Sequence, residues 1–270
     1  MTDPFGATSR VSRTVTIANA APVITAVTTP AVASSVGASL SATATFTDAG
    51  SVDTHDAVIE WGDGQSTTVS AGSALTASAP HTYASAGFFT VTVTVRDDDD
   101  GSDQTRSSIV VVYDAAAGAV NGSGWIPGAT SGDKSSFAID VRYAGGTQPV
   151  GTFSLTAQAG ALSMTASAFD WLVVQGSTAT VRGTGTTATG ATVACQIRAR
   201  DGKTVGDKDR ILTRVWKPST GAVLYDSEPR GGRARGPDGR GEWQPDGASV
   251  ASRPCYGRAL AARPNTMRAR

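Results

Sequence analysis

Apolar and polar residues alternate with a period of two along most of the chain. The alternation is clearest in segments 40–46, 90–95 and 137–143, where every second position is apolar. Such a pattern, rich in valine and threonine, predicts strands that bury one face. Turn signals such as Asp63-Gly64 separate the strands, and no segment has the period of an amphipathic helix. The pattern therefore predicts an all-β, antiparallel protein.

The spacing of the strands predicts two domains. Short strands that recur roughly every 8–12 residues without helices between them are typical of β-sandwiches. A weakly patterned segment of small residues, 114–121, follows a strong strand that ends at Tyr113, as a linker should. We therefore expect two tandem antiparallel β-sandwich domains, at residues 22–113 and 122–227.

The first residues repeat a pattern found later in the chain. Segments 3–6 and 14–17 parallel segments 98–101 and 109–112, both at an offset of 95 residues. This offset is the size of one small sandwich, and such periods indicate a repeat architecture. We interpret residues 1–20 as the last strand of a preceding repeat in a longer protein. The absence of a secretory signal from this segment then says little about location.

The last residues differ in composition from the rest. Residues 228–270 contain nine arginines and no lysine, carry a net charge of +5, and show no strand or helix period. We expect a disordered tail, with translation out of the natural frame as one origin of its composition. A basic arm for an anionic partner is the alternative.

Overall charge and apolar content exclude several classes of protein. The formal net charge is zero, which argues against specific nucleic-acid binding. No apolar run approaches the roughly 18 residues of a membrane helix, so we expect no membrane insertion. The two cysteines lie in unlike contexts, which argues against a disulfide framework, and Cys195 is expected in a core.

Two motifs in the first domain are the most specific signals in the chain. Ile59 and Trp61 share one face of a strand that ends in the turn Gly62-Asp63-Gly64. The glycines permit backbone angles closed to other residues, and Asp63 can accept backbone hydrogen bonds. The second motif comprises His81, Tyr83, Gly87 and the following strand to Asp97.

In this order and spacing, the two motifs resemble the polycystic kidney disease (PKD) domain. The turn and the H-x-Y-x-x-x-G segment match the family pattern, whereas the aromatic positions around Trp61 depart from its commonest form. The resemblance implies an immunoglobulin-like sandwich, an extracellular setting and a non-catalytic role. The second module, through segments such as Gly122–Ile126 and Leu224-Tyr225-Asp226, resembles a domain that follows PKD-like repeats in secreted bacterial proteins. In that domain a last strand follows, which the arginine-rich tail puts in doubt here.

No catalytic site is predicted. A Ser–His–Asp arrangement would need His55 or His81 beside a reactive serine, and no nucleophile-elbow motif occurs. We expect His81 to be structural, bonded to backbone at a strand entry, and His55 to be solvated in a polar loop.

An acidic run between two strands is the candidate metal site. Its carboxylates are of the ligand type that calcium prefers, although their spacing is not that of an EF-hand. The resemblance adds weight, because some PKD-like domains bind calcium near this loop. A solvated acidic hairpin turn is the alternative, and no other cofactor is expected. The candidate ligands are Asp97, Asp98, Asp99, Asp100 and Asp103.

The favoured function is a non-catalytic structural or adhesion module of a larger secreted or cell-surface bacterial protein. Its partner would be a protein or polysaccharide at the cell surface, and the chain is expected to be a monomer. The alternative is an accessory module that binds polysaccharide or protein substrate for a secreted hydrolase. That function needs exposed aromatic residues, and the candidates are Phe88, Phe89, Trp125 and Trp171.

Overall fold

The structure is a computed structural model that describes residues 12–13, 18–50, 52–116, 118–127, 134–157, 160–202, 209–227 and 256–263. Regular secondary structure in these residues consists of strands, so the all-β prediction is confirmed. None of the described segments is a helix with the length and hydrophobicity needed to cross a bilayer.

Eight strands form the first domain, and they lie in two sheets. The smaller sheet has the order β1-β3-β6, and the larger has the order β2-β8-β7-β4-β5. The strands are β1 (Val23–Thr28), β2 (Ser34–Ser35), β3 (Ser39–Thr47), β4 (His55–Glu60), β5 (Ser66–Gly72), β6 (Thr76–Thr82), β7 (Gly87–Asp97) and β8 (Ser102–Tyr113).

The core of the first domain lies between these two sheets, as the alternation predicts. Ile59, Trp61 and Val93 are completely buried, because the period of two points them all to the inner faces. The smaller sheet contributes Phe46 and the alanines of β3 and β6 to the same core. This confirms the expected sandwich, whose outer faces carry mainly serine and threonine.

The first part of the chain is shared between the two sheets. β1 pairs antiparallel with β3, whereas β2 pairs parallel with β8 at Val112 and Tyr113. The chain therefore crosses from one layer to the other after Thr28, which ties the layers together at this edge.

Nine strands form the second domain, and they belong to one hydrogen-bonded sheet of order β16-β15-β14-β13-β12-β11-β10-β9-β17. The strands are β9 (Ala119–Pro127), β10 (Lys134–Tyr143), β11 (Pro149–Ala157), β12 (Leu162–Gln175), β13 (Thr178–Thr187), β14 (Thr192–Arg200), β15 (Arg210–Trp216), β16 (Val223–Asp226) and β17 (Tyr256–Arg263).

This sheet curls over one core. From β9 to β16 successive strands are antiparallel neighbours, β17 pairs with β9, and residues such as Phe137, Phe153 and Ile197 are buried on one face. The backbone of β17 comes within 8 Å of β14, which is possible only if the sheet bends back on itself. The two layers expected of this module thus come from a single continuous sheet.

The structure differs from the sequence expectation at two boundaries. β9 already begins at Ala119, so only residues 114–118 connect the domains instead of 114–121. Within the tail expected to be disordered, Tyr256–Arg263 forms a strand that pairs with β9. The rest of the tail, and the preceding-repeat strand expected within residues 1–20, lie almost wholly outside the described residues.

Candidate functional site

The turn after β4 is held by a side-chain pair. Asp63 Oδ2 lies 2.8 Å from His81 Nε2, and its other oxygen accepts a hydrogen bond from the backbone N–H of Gln65. Burial alone would raise the pKa of Asp63, but these hydrogen bonds outweigh it and lower the pKa below its usual value. Asp63 therefore closes the turn as a carboxylate.

A series of aromatic side chains packs against the His81 ring of this pair. The His81 ring stacks on Trp61 with centroids 4.6 Å apart, and its edge meets Tyr83. Tyr83 stacks in turn on Phe89, and its hydroxyl donates a hydrogen bond to the Trp61 carbonyl oxygen at 2.8 Å. The motif residues are thus gathered as expected, but His81 bonds to a carboxylate and not to the backbone.

Gly62 is required by the backbone of this turn. Its φ angle is +82°, and a Cβ at this position would lie 2.7 Å from the carbonyl oxygen of Thr90. A larger residue would be strained and would also push β7 away. The motif is therefore a packed corner of the sandwich with little room for a ligand.

A cluster of carboxylates lies at one end of the first domain. Single oxygen atoms of Asp48, Asp53 and Asp97 lie within 4.8 Å of one another. The three residues come from the β3–β4 connection and from the end of β7, which the sandwich brings together. Desolvation, then the negative charges of Asp48, Asp98, Asp99 and Asp97, raise the pKa of Asp53.

Only Asp97 of the five predicted ligands belongs to this group. Asp98, Asp99 and Asp100 are exposed, and Asp103 accepts a hydrogen bond from the backbone N–H of Ile24. The other two members, Asp48 and Asp53, were not predicted. The five acidic residues of the run do not converge, because they follow a hairpin turn that points their side chains in different directions.

Asp97 is itself a structural centre of its turn. Its Oδ1 accepts backbone hydrogen bonds from Asp99 and Gly101, and its Oδ2 accepts one from the side-chain amide of Asn19 at 2.8 Å. A hydrogen bond therefore joins Asn19, which precedes β1, to the acidic turn after β7.

His55 supplies positive charge to the same cluster. It is buried, with Nε2 3.0 Å from Asp48 Oδ2 and Nδ1 3.2 Å from the Gly72 carbonyl oxygen, so the predicted solvated loop position is wrong. Both nitrogens face acceptors, which the ring satisfies only with two protons. Burial alone would lower the pKa of His55, but these hydrogen bonds outweigh it and raise the pKa.

The donor set fits a hard cation in part. Three carboxylates supply the oxygen ligands that calcium takes, whereas full coordination needs about six to eight oxygens. Both oxygens of Asp48 are hydrogen-bonded, one to His55 and the other to the backbone N–H of Gly50, and both oxygens of Asp97 also accept hydrogen bonds. A cation at this cluster would offset the negative charges that surround Asp53.

The four candidate aromatic residues do not form an exposed platform. Trp171 is buried, and Phe88 and Phe89 are half-buried in contacts with other rings. Trp125 is half-buried, and the Lys134 ammonium lies 4.3 Å from its ring centre. Most of these side chains therefore pack within the molecule.

A groove runs along the junction of the two domains. Its walls combine apolar residues of the first domain with an aromatic ring and two polar side chains of the second. The lining residues are Pro30, Ala31, Val32, Ala33, Phe88, Ile109, Val111, Trp171, Arg182 and Gln196.

The described residues contain no nucleophile activated by a histidine. His55 and His81 are hydrogen-bonded to carboxylates and a backbone carbonyl, and neither bonds to a serine or cysteine there. Burial raises the pKa of the Cys195 thiol to about 12, as expected for a core residue.

Comparison with known proteins agrees with the motif geometry. Residues 19–112 match the family model of the PKD domain. Among solved structures, the chain is similar to the PKD domain of an M14-like peptidase from Thermoplasmatales archaeon SCGC AB-540-F20. The sequence identity is 26%, the TM-score is 0.32, and the match covers 35% of this chain and 98% of that chain. No curated protein matches the chain.

Proposed function

With a PKD domain at residues 19–112 as the premise, we propose that this chain is a non-catalytic structural or adhesion module of a larger extracellular protein. The family match is the observation that carries the proposal. PKD domains occur in extracellular and secreted proteins, where they accompany domains of other function. In this role the sandwich and the second β domain hold a surface or a neighbouring domain at a set distance.

The chemistry of the described residues supports this role. The motif histidine and carboxylate stabilise a turn, and the outer faces of the strands carry short polar side chains that suit solvent. Such side chains favour solubility and spacing over the enclosed, desolvated pocket that catalysis requires.

Small-angle scattering of the full chain tests the spacer role. We expect a monomer whose scattering describes two adjoining lobes, with no signature of freely moving domains. A compact single globule, or a flexible pair, would contradict a module that sets a distance.

The junction groove favours a second candidate, an accessory module that binds polysaccharide or protein substrate. Groove-lining Gln196 offers an amide beside the ring of Trp171. Co-sedimentation with insoluble chitin, cellulose and collagen separates the two candidates. Retention that is lost in Val32→Asp but kept in Val23→Asp would support the groove, because both valines are exposed and only Val32 lines it. No retention on any of the three polymers would favour the structural role over substrate binding.

A further inference from the structure

The last residue of β8 is also part of the core of the second domain. Tyr113 is 8% exposed and stacks on Tyr143 of β10, with ring centroids 5.4 Å apart. Tyr143 in turn donates a hydrogen bond to the Leu172 carbonyl oxygen and accepts one from the Leu172 N–H. A side chain of the first domain thus packs against a hydrogen-bonded group that links two strands of the second.

Further contacts surround this ring pair. Phe88 of β7 meets Trp171 of β12 in an edge-to-face arrangement at 5.4 Å. Edge-to-face aromatic pairs contribute beyond the area that they bury. The partly buried first-domain residues packed against the second core are Ala33, Ala86, Phe88 and Val111.

The connection between the domains is tight as well as short. Gly118 has a φ angle of +109°, and a Cβ at this position would collide with the side chain of Val174. Ala115 also packs against the second core. The connecting residues therefore contribute to the interface instead of acting as a free tether.

We infer that the two domains unfold as one cooperative unit, in which the PKD sandwich stabilises the second domain by completing its core. Domains joined by small polar interfaces move and unfold separately, whereas a large apolar interface couples them. Here two aromatic pairs and the connecting segment bridge the domains, so opening the first domain removes apolar cover from the second.

The buried thiol of Cys195 reports on the second domain alone. Cys195 is completely buried in β14, and its Sγ lies 3.6 Å from the Gly183 carbonyl oxygen of the same domain. A thiol reagent can reach it only after the second domain opens. The full chain carrying Cys255→Ser has this thiol as its sole target and serves as the reference.

The test variant changes a side chain in the core of the first domain only. Ile59 is completely buried in the core of the first domain, and Val58 is its exposed neighbour on the same strand. If the domains are coupled, Ile59→Ala should speed Cys195 labelling roughly tenfold or more, because it removes a large buried side chain. The matched control Val58→Ala should stay within about twofold of the reference. Phe153→Leu, inside the second core, should speed labelling whether or not the domains are coupled. It shows that the labelling rate of Cys195 responds to a loss of stability in the second domain.

Breaking the junction gives the second half of the test. In a background carrying Phe88→Ala and Trp171→Ala, Ile59→Ala should change the labelling rate by a smaller factor than in the reference, because the Phe88–Trp171 contact is gone while the Tyr113–Tyr143 pair remains. The milder Phe88→Leu, which keeps apolar volume, should reduce the effect if the double variant does not fold. The inference is overturned if Ile59→Ala increases hydrogen exchange in β7 while the labelling rate of Cys195 stays unchanged. No ligand enters this experiment, so its result is independent of the proposed function.

Discussion

At the scale of single residues, Asp63 links the sequence motif to the stability of the sandwich. Its lowered pKa comes from hydrogen bonds that exist only in the folded chain. A carboxyl with a depressed folded-state pKa contributes stability that is present above its unfolded pKa, about 3.9, and is lost as the pH falls through the folded value. Asp63 thus stabilises the domain at neutral pH.

We expect Asp63→Asn to lower the unfolding temperature at pH 7 and to make it less sensitive to acid below about pH 4. The measurement is thermal unfolding by circular dichroism between pH 7 and pH 3. Asp56→Asn, at an exposed position of β4, is the matched control and should follow the wild-type curve. Equal acid sensitivity in Asp63→Asn and wild type would show that the pair with His81 does not contribute.

Calcium binding can be tested on the carboxylate cluster. If a cation binds at Asp48, Asp53 and Asp97, calcium should raise the unfolding temperature by several degrees, since a ligand that binds only the folded state stabilises it. Asp53→Asn should remove this shift. Asp100→Asn should keep it, because Asp100 lies outside the group and asparagine tolerates its φ angle of 70°. No heat on titration and no shift in wild type would exclude the site.

Sequence reasoning identified the motif residues but not the cluster. Trp61, Asp63 and His81 were predictable because turn chemistry and strand alternation act locally. Asp48 and Asp53 meet Asp97 only through the pairing of β4 with β7, which depends on the register of the sheet. The burial of His55 was predictable in principle, since it shares the inward face of β4 with Ala57 and Ile59. The polar residues beside it in the sequence indicated a solvated loop instead.

At the scale of elements, β17 covers one edge of the second sheet. It pairs with β9, which otherwise has only β10 as a neighbour. An uncovered strand edge offers unpaired backbone groups to other chains. The sequence could not place this strand, because its residues alternate weakly and their partner lies more than a hundred positions earlier.

Truncation after Ser227 should therefore increase self-association. The shortened chain loses β17, and its uncovered β9 edge can pair with another molecule. Light scattering after size-exclusion chromatography, over a series of protein concentrations, measures the effect. Ser123→Lys in the truncated chain should reverse the association by placing a charge on the uncovered edge strand. A truncated chain that stays monomeric would show that the edge is protected in another way.

At the scale of the whole molecule, the sequence did not reveal that the second β module packs against the first. Small residues at 114–118 are typical of a flexible linker, and the composition favoured that interpretation. In the structure the same small residues allow close approach, with Gly118 against Val174 and Ala115 against the second core. Composition alone does not distinguish a flexible link from a tight contact, because small side chains serve both.

The parallel pairing of β2 with β8 affects how the chain would respond to mechanical load. A force applied at the two chain ends pulls β2 toward the amino terminus and β8 toward the carboxyl terminus. Because these neighbours run in the same direction, the force slides them past each other and loads the hydrogen bonds around Val112 and Tyr113 together. Bonds strained simultaneously resist rupture better than bonds opened in succession, so we expect the pairing of β2 with β8 to resist extension after β1 has separated from β3.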